Sequence, residues 1–209
     1  MLCVNNRRTR DRLPMRNTDW FNYGGVYREV ELFETPQTVI RDLFLYLDDD
    51  GIHVEAAVDG PATQAKLAIP RLDLATTLTL TNGRAQTILQ AQPDLWSPEN
   101  PVLYDVTLSA GGDSVGDRVG FRRIERRGTR ILLNGQPVFL RGISVHEDDE
   151  QQGKLTSEAD IRRRFAHARE LGCNFLRLAH YPHHEMAARI ADEMGLMLWE
   201  EIPVYWAID

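Results

Sequence analysis

Three places in the chain set polar, titratable side chains directly behind apolar runs. His146-Glu147 follows "GISV", His180-Tyr181 follows "NFLRLA", and Glu200-Glu201 follows "LMLW". Imidazoles and carboxylates bond hydroxyl groups, move protons near neutral pH and ligate metals. They act jointly only if a fold converges them, and their shared position at the end of an apolar run points to the tips of neighbouring strands. Taken alone, His180 could equally be a satisfied histidine bonding a nearby loop. His183 and His184 are expected to open a helix, solvated or capping it. Three histidines with Glu201 have donor types that suit zinc or iron. No fixed spacing of the HExxH kind supports that reading, however, and no metal or other cofactor is expected.

The elements around these residues explain why they would meet. From about Phe121, strand-like and helix-like segments alternate. "TSEADIRRRFAHARELG" carries Ser157 as an N-cap with Asp160 three residues on as its capping-box partner, and Gly172 sits where a C-terminal glycine belongs. "HHEMAARIADEMG" is a second amphipathic segment, with Met186, Ile190 and Met194 on one face and Gly195 ending it. The β-α-β-α-β order implies parallel strands with crossover helices, each strand apolar along its length. Chemistry in such folds gathers at the carboxyl ends of the strands, which is where the three pairs fall.

Before Phe121 the pattern differs. Ile52, Val54, Ala56 and Val58 alternate with small or polar residues, as do Tyr104, Val106 and Leu108, the period-2 mark of half-buried strands. "DDDG" at 48–51 predicts a hairpin, and Asn82-Gly83 in "TLTLTNGRAQTIL" predicts another. Short strands with closely spaced turns point to an antiparallel sandwich. The first forty residues are aromatic-rich and too few to bury a core of their own.

Composition sets bounds. The 209 residues are 43% hydrophobic and 26% charged, with a net charge of −7. An acidic chain lacks the basic face that nucleic acid or an anionic membrane requires, so neither is expected as a partner. No apolar run approaches the roughly 20 residues of a membrane span. Cys3 and Cys173 form neither a metal-ligand spacing nor a disulfide framework.

Five linked stretches, "LWSPENPVLYDVTL", "DRVGFR", "LLNGQPVFLRGISVHE", "LGCNFLRLAHYPHH" and "DEMGLMLWEEIP", together with "DWFNYGGVYREVEL" near the start, resemble glycoside hydrolase family 2, the family of β-galactosidases, β-glucuronidases and β-mannosidases. The resemblance implies the tail of a jelly-roll sugar-binding domain over 1–40, an immunoglobulin-like β-sandwich over 41–122, and the first part of a TIM (β/α)8 barrel over 123–209. A full barrel takes about 250 residues, so about three of its eight strands are expected here, in a chain cut at both ends.

The same resemblance implies a retaining β-glycosidase, with two glutamates about 5 Å apart as acid and nucleophile. Both belong to later barrel strands, beyond Asp209, so the chain alone is expected to be inactive. It implies substrate-binding roles for Asp19, His146, Arg177 and His180: Asp19 and the two histidines on sugar hydroxyls, Arg177 in the barrel interior orienting carboxylates. Family members are often homo-oligomeric, and the partner implied is a β-glycoside. Tyr205 and Ala207 stand where magnesium-using β-galactosidases carry a glutamate and a histidine, so magnesium of that type is not expected. A non-catalytic carbohydrate-binding or interaction module is the alternative function, and a small metal-dependent hydrolase a third.

Overall fold

The computed structural model describes residues 1–204 except Met15 and Asn17. They gather into two compact units, one spanning Leu32–Phe139, the other formed by Met1–Glu31 with the chain from Leu140 onward.

The Leu32–Phe139 unit is a sandwich. One sheet holds β1 (Val39–Asp48), β2 (Gly51–Asp59) and β5 (Arg84–Leu89) in the order β1-β2-β5. The other holds β3 (Gln64–Ile69), β4 (Leu74–Thr79), β6 (Tyr104–Ala110) and β7 (Asp113–Val119) in the order β4-β3-β6-β7. The alternating residues meet between the layers: Ile52, Val54 and Val58 from one sheet, Leu67, Tyr104, Val106 and Leu108 from the other, all buried in one cluster. The hairpin expected at residues 48–51 is present, with Asp48 paired to Gly51. Trp96 is fully buried, and its backbone N–H donates to Phe121 at 2.8 Å. Gly120 of "DRVGFR" lies under that indole; a Cβ there would fall 2.6 Å from Trp96 Cδ1, so only glycine fits.

The Asn82-Gly83 pair does turn the chain, with φ of 51° and 73° and a bridge between Thr81 and Arg84. The hairpin expected around it does not form. β4 pairs with β3, and β5 pairs with β2 in the opposite sheet. Crossing between layers lets Leu78, Leu80 and Ala85 join the shared core. The turn is a local preference, whereas partner choice follows burial.

β8 (Ile124–Arg127), β9 (Arg130–Leu133) and β10 (Gln136–Pro137) make a small antiparallel sheet, turned at Asn134-Gly135. They belong to the same compact unit as the sandwich.

The other unit carries the β/α repeat. β11 (Gly142–Val145), β12 (Phe175–Leu178) and β13 (Met197–Glu200) are parallel neighbours in that order, with α1 (Glu158–Glu170) and α2 (Met186–Met194) as the crossovers. Ser157 and Asp160 form the expected capping box, and hydrogen bonds from Ser157 and an ion pair with Arg163 pull the Asp160 carboxyl down to about 2. Leu176 and Leu178 are fully buried against Ile161, Phe165, Ala187, Ile190 and Ala191.

Two expectations are corrected here. The strands are not apolar and covered throughout: β11 is mostly exposed and β13 is exposed at Trp199 and Glu200. Only the helix-facing side of the sheet is packed, while Ser144, Arg177 and Trp199 line up in register on the other face. α2 begins at Met186 rather than at His183. The His184 backbone N–H donates to the Glu147 carboxylate and its ring Nδ1 accepts from Met186 N, so His184 caps the helix from outside it.

Among the described residues, 1–38 contain no strand or helix. Part of this segment, residues 18–29, lies as an arm over the strand tips of the β/α unit.

Candidate functional site

The tips of β11, β12 and β13 deliver His146, His180 and Glu201 to one place. Glu201 is the hub. Its Oε1 accepts from Arg177 Nε at 2.6 Å and its Oε2 lies 2.9 Å from His180 Nδ1. Arg177 Nη2 is 3.2 Å from the same His180 nitrogen. Strand geometry explains the meeting: Arg177 points to the face away from the helices because Leu176 and Leu178 occupy the other, and Glu201 follows directly after β13, the neighbouring strand. His146 packs edge-on to His180 with centroids 5.3 Å apart, and its Nδ1 is 3.3 Å from the Tyr181 hydroxyl.

The arm supplies the next wall. Trp20 lies 5.6 Å from the rings of both His180 and Tyr181. Asp19, its neighbour, is exposed. The structure therefore brings His146, Arg177 and His180 together and sets the residue next to Asp19 on the same cluster.

Electrostatics follow from this packing. Burial raises the Glu201 carboxyl, but hydrogen bonds from Arg177 and His180 outweigh it and hold the group below its ordinary value. Burial, then the nearby His180, lowers His146. Burial also raises the Tyr181 phenol well above its usual range. His183, expected to be solvated, is instead half-buried: its ring stacks on Tyr181 at 5.1 Å and its Nε2 lies 2.9 Å from the Ala179 carbonyl, with burial lowering its pKa.

The sequence placed Glu147 and Tyr181 at strand tips without their partners, and gave Lys154 and Trp20 no role at all. Glu147, 2% exposed, takes an ion pair from Arg28 at 2.7 Å. Lys154 sits 3.3 Å over the Tyr181 ring, largely withdrawn from solvent. Trp20 and Tyr181 form the aromatic wall. Glu147 was set apart from the rest of "HEDDE" only by its place behind the apolar run, which gives no sign of its burial, and Lys154 lies in a polar loop. Only the aromatic density of "TDWFNYGG" was a visible signal.

For a metal, the described residues hold no group of three or more His, Cys, Asp and Glu able to bind one. Tyr205 and Ala207 lie outside the described residues.

A β-sandwich followed in the chain by parallel β/α units, with imidazole, guanidinium and carboxylate groups gathered at the strand tips, defines a multidomain protein of β plus α/β class. Residues 40–122 match the family model described as glycosyl hydrolases family 2, and residues 124–206 match the model for the TIM barrel domain of glycosyl hydrolases family 2. The chain belongs to glycosyl hydrolase family 2. It is 32% identical over 174 residues to a β-galactosidase of Arthrobacter sp., covering 82% of this chain and 17% of that protein. It is 30% identical over 226 residues to a putative β-glucuronidase of Formosa agariphila, covering 97% and 27% respectively. Among solved structures it is similar to β-glucuronidase 3 of Bacteroides uniformis, with a TM-score of 0.83, 30% identity, and coverage of 96% of this chain and 27% of that one. The chain thus spans well under half the length of these relatives.

Proposed function

We propose that this chain supplies part of the sugar-recognition surface of a retaining β-glycosidase acting on β-galactosides or β-glucuronides, and that it does not turn over substrate by itself. The observation that carries the reading is the convergence of His146, Arg177 and His180 on one rim beside Trp20, in a chain whose relatives bear those two enzyme names. Imidazole nitrogens alongside an indole face match a sugar ring: hydroxyls take the hydrogen bonds, and the C–H face packs on the aromatic. Asp19 is assigned to the same ligand from the arm.

The two carboxylates at the rim are poorly suited to acid or nucleophile. Glu201 is held ionised between Arg177 and His180, so it has no proton to give a leaving group near neutral pH. Glu147 is buried and fully engaged. Retaining hydrolysis needs a protonated acid and a second carboxylate about 5 Å away, and we assign both to parts of the barrel other than β11–β13. Glu201 then serves to orient Arg177 and His180.

The test is incubation of the purified chain with aryl β-galactoside and aryl β-glucuronide, alongside titration with D-galactose and D-glucuronate followed by NMR. No turnover, with weak sugar binding lost in His180→Ala, is the expected result. Reproducible turnover abolished in Glu200→Gln or Glu201→Gln would overturn it.

A further inference from the structure

Glu147 is the most buried acidic side chain of the described residues, and the sugar reading gives it no role. Its bonding partners come from segments far apart in sequence. Arg28 Nη2, 119 residues away, donates to Oε2 at 2.7 Å, and the His184 backbone N–H donates to Oε1. Its own backbone N–H reaches the Tyr181 hydroxyl at 3.3 Å, and Arg164 of α1 donates to its carbonyl at 3.2 Å. A buried ion pair is weak evidence of stabilisation, since desolvation of both charges offsets their attraction; its best-attested use is fixing one arrangement among several.

The arrangement fixed here is that of the arm. Besides Arg28, residues 18–29 touch the β/α unit through Trp20 on His180 and Tyr181, Tyr23 against Gly153, Tyr27 with its ring 5.4 Å from Lys154 Nζ, and Glu29 at 3.2 Å from His184 Nε2. These are ring contacts and exposed pairs, which slide or open readily. The Arg28–Glu147 pair is directional and has a carboxylate only 2% exposed, and Glu147 also meets Tyr181, on which Trp20 rests.

We propose that Glu147 is a positioning residue: through Arg28 it fastens the arm across the strand tips and so sets the Trp20 ring against His180. The inference does not depend on which ligand the rim takes.

The experiment measures amide hydrogen exchange in the 209-residue chain and in Glu147→Gln, Arg28→Gln, the double variant and Arg28→Lys. The ring-current shift that Trp20 imposes on the His180 Cε1 proton is the spectroscopic readout, with Trp20→Ala as its reference. Arm amides (18–31) are expected to exchange about tenfold faster or more in both single variants, with no further gain in the double variant, while α1 and β12 keep their protection. The His180 proton should move toward its position in Trp20→Ala, and Arg28→Lys, which keeps a cation, should restore part of the shift. Because Arg28 lies outside the helix-packed core, Arg28→Gln separates the latch from general unfolding. Unchanged arm exchange and an unchanged His180 shift in Arg28→Gln would overturn the proposal, whatever Glu147→Gln does to the core.

Discussion

Arg177 and Glu201 meet across neighbouring parallel strands, Nε to Oε1 at 2.6 Å, although 24 residues separate them in the chain. The same carboxylate holds His180, so one group orients both cationic-capable neighbours at the rim.

Replacing Glu201 by Gln keeps the shape and removes the charge. A charge-assisted hydrogen bond contributes about 1.5–3 kcal/mol, and Arg177 is partly exposed, so a loss near about 1.5 kcal/mol is expected in urea unfolding at pH 7. The folded-state pKa of Glu201 is depressed, so its contribution is present above the unfolded value and lost as pH falls through the folded one. The gap between wild type and Glu201→Gln should therefore begin to narrow as pH falls below the unfolded-chain value of about 4.3 and keep narrowing on further acidification.

His146 and His183 both have lowered pKa values, burial being the leading cause in each. A histidine depressed on folding binds protons more readily in the unfolded chain, so stability is full above about pH 6.5 and declines on acidification toward the folded pKa. NMR titration should give midpoints below the model-peptide value for both rings. Stability measured at pH 7.5 and 5.5 should differ less in His146→Asn than in wild type.

Ser157→Ala removes the acceptor for Asp160 N and breaks the capping box at α1. A loss of about 1 kcal/mol is expected by chemical denaturation. Ser157→Thr, whose hydroxyl can both accept from Asp160 N–H and donate to the Asp160 carboxylate, should recover most of it.

Gly120→Ala tests the packing of the sandwich. The added methyl would press on Trp96 Cδ1 and Cγ, at 2.6 and 2.9 Å, and overpacking of this kind costs about 1–3 kcal/mol. Calorimetry should show a lowered melting temperature, with Trp96 fluorescence reporting the shift.

Much of the fold was legible because its signals are local. The alternation of Ile52, Val54 and Val58, the capping box at Ser157, and the glycines that end α1 and α2 depend on residues within one or two turns of each other, and each formed as the spacing dictates. Asn82-Gly83 marks the limit: its turn is a property of two residues, but the choice between closing a hairpin and crossing to the other sheet depends on where Leu78, Leu80 and Ala85 find apolar partners.

The site divides in the same way. By itself the sequence determined that polar groups stand at three strand ends, and the order of elements put those ends on one side of a parallel sheet. Only the tertiary structure decided which groups bond. It paired Glu201 rather than the adjacent Glu200 with Arg177 and His180, because successive residues at a strand end diverge and only one can face the rim. It buried Glu147 beside the less buried His146 and gave it Arg28, a partner 119 residues away. Such long-range pairs arise from the packing of whole elements, and no spacing along a single chain encodes them.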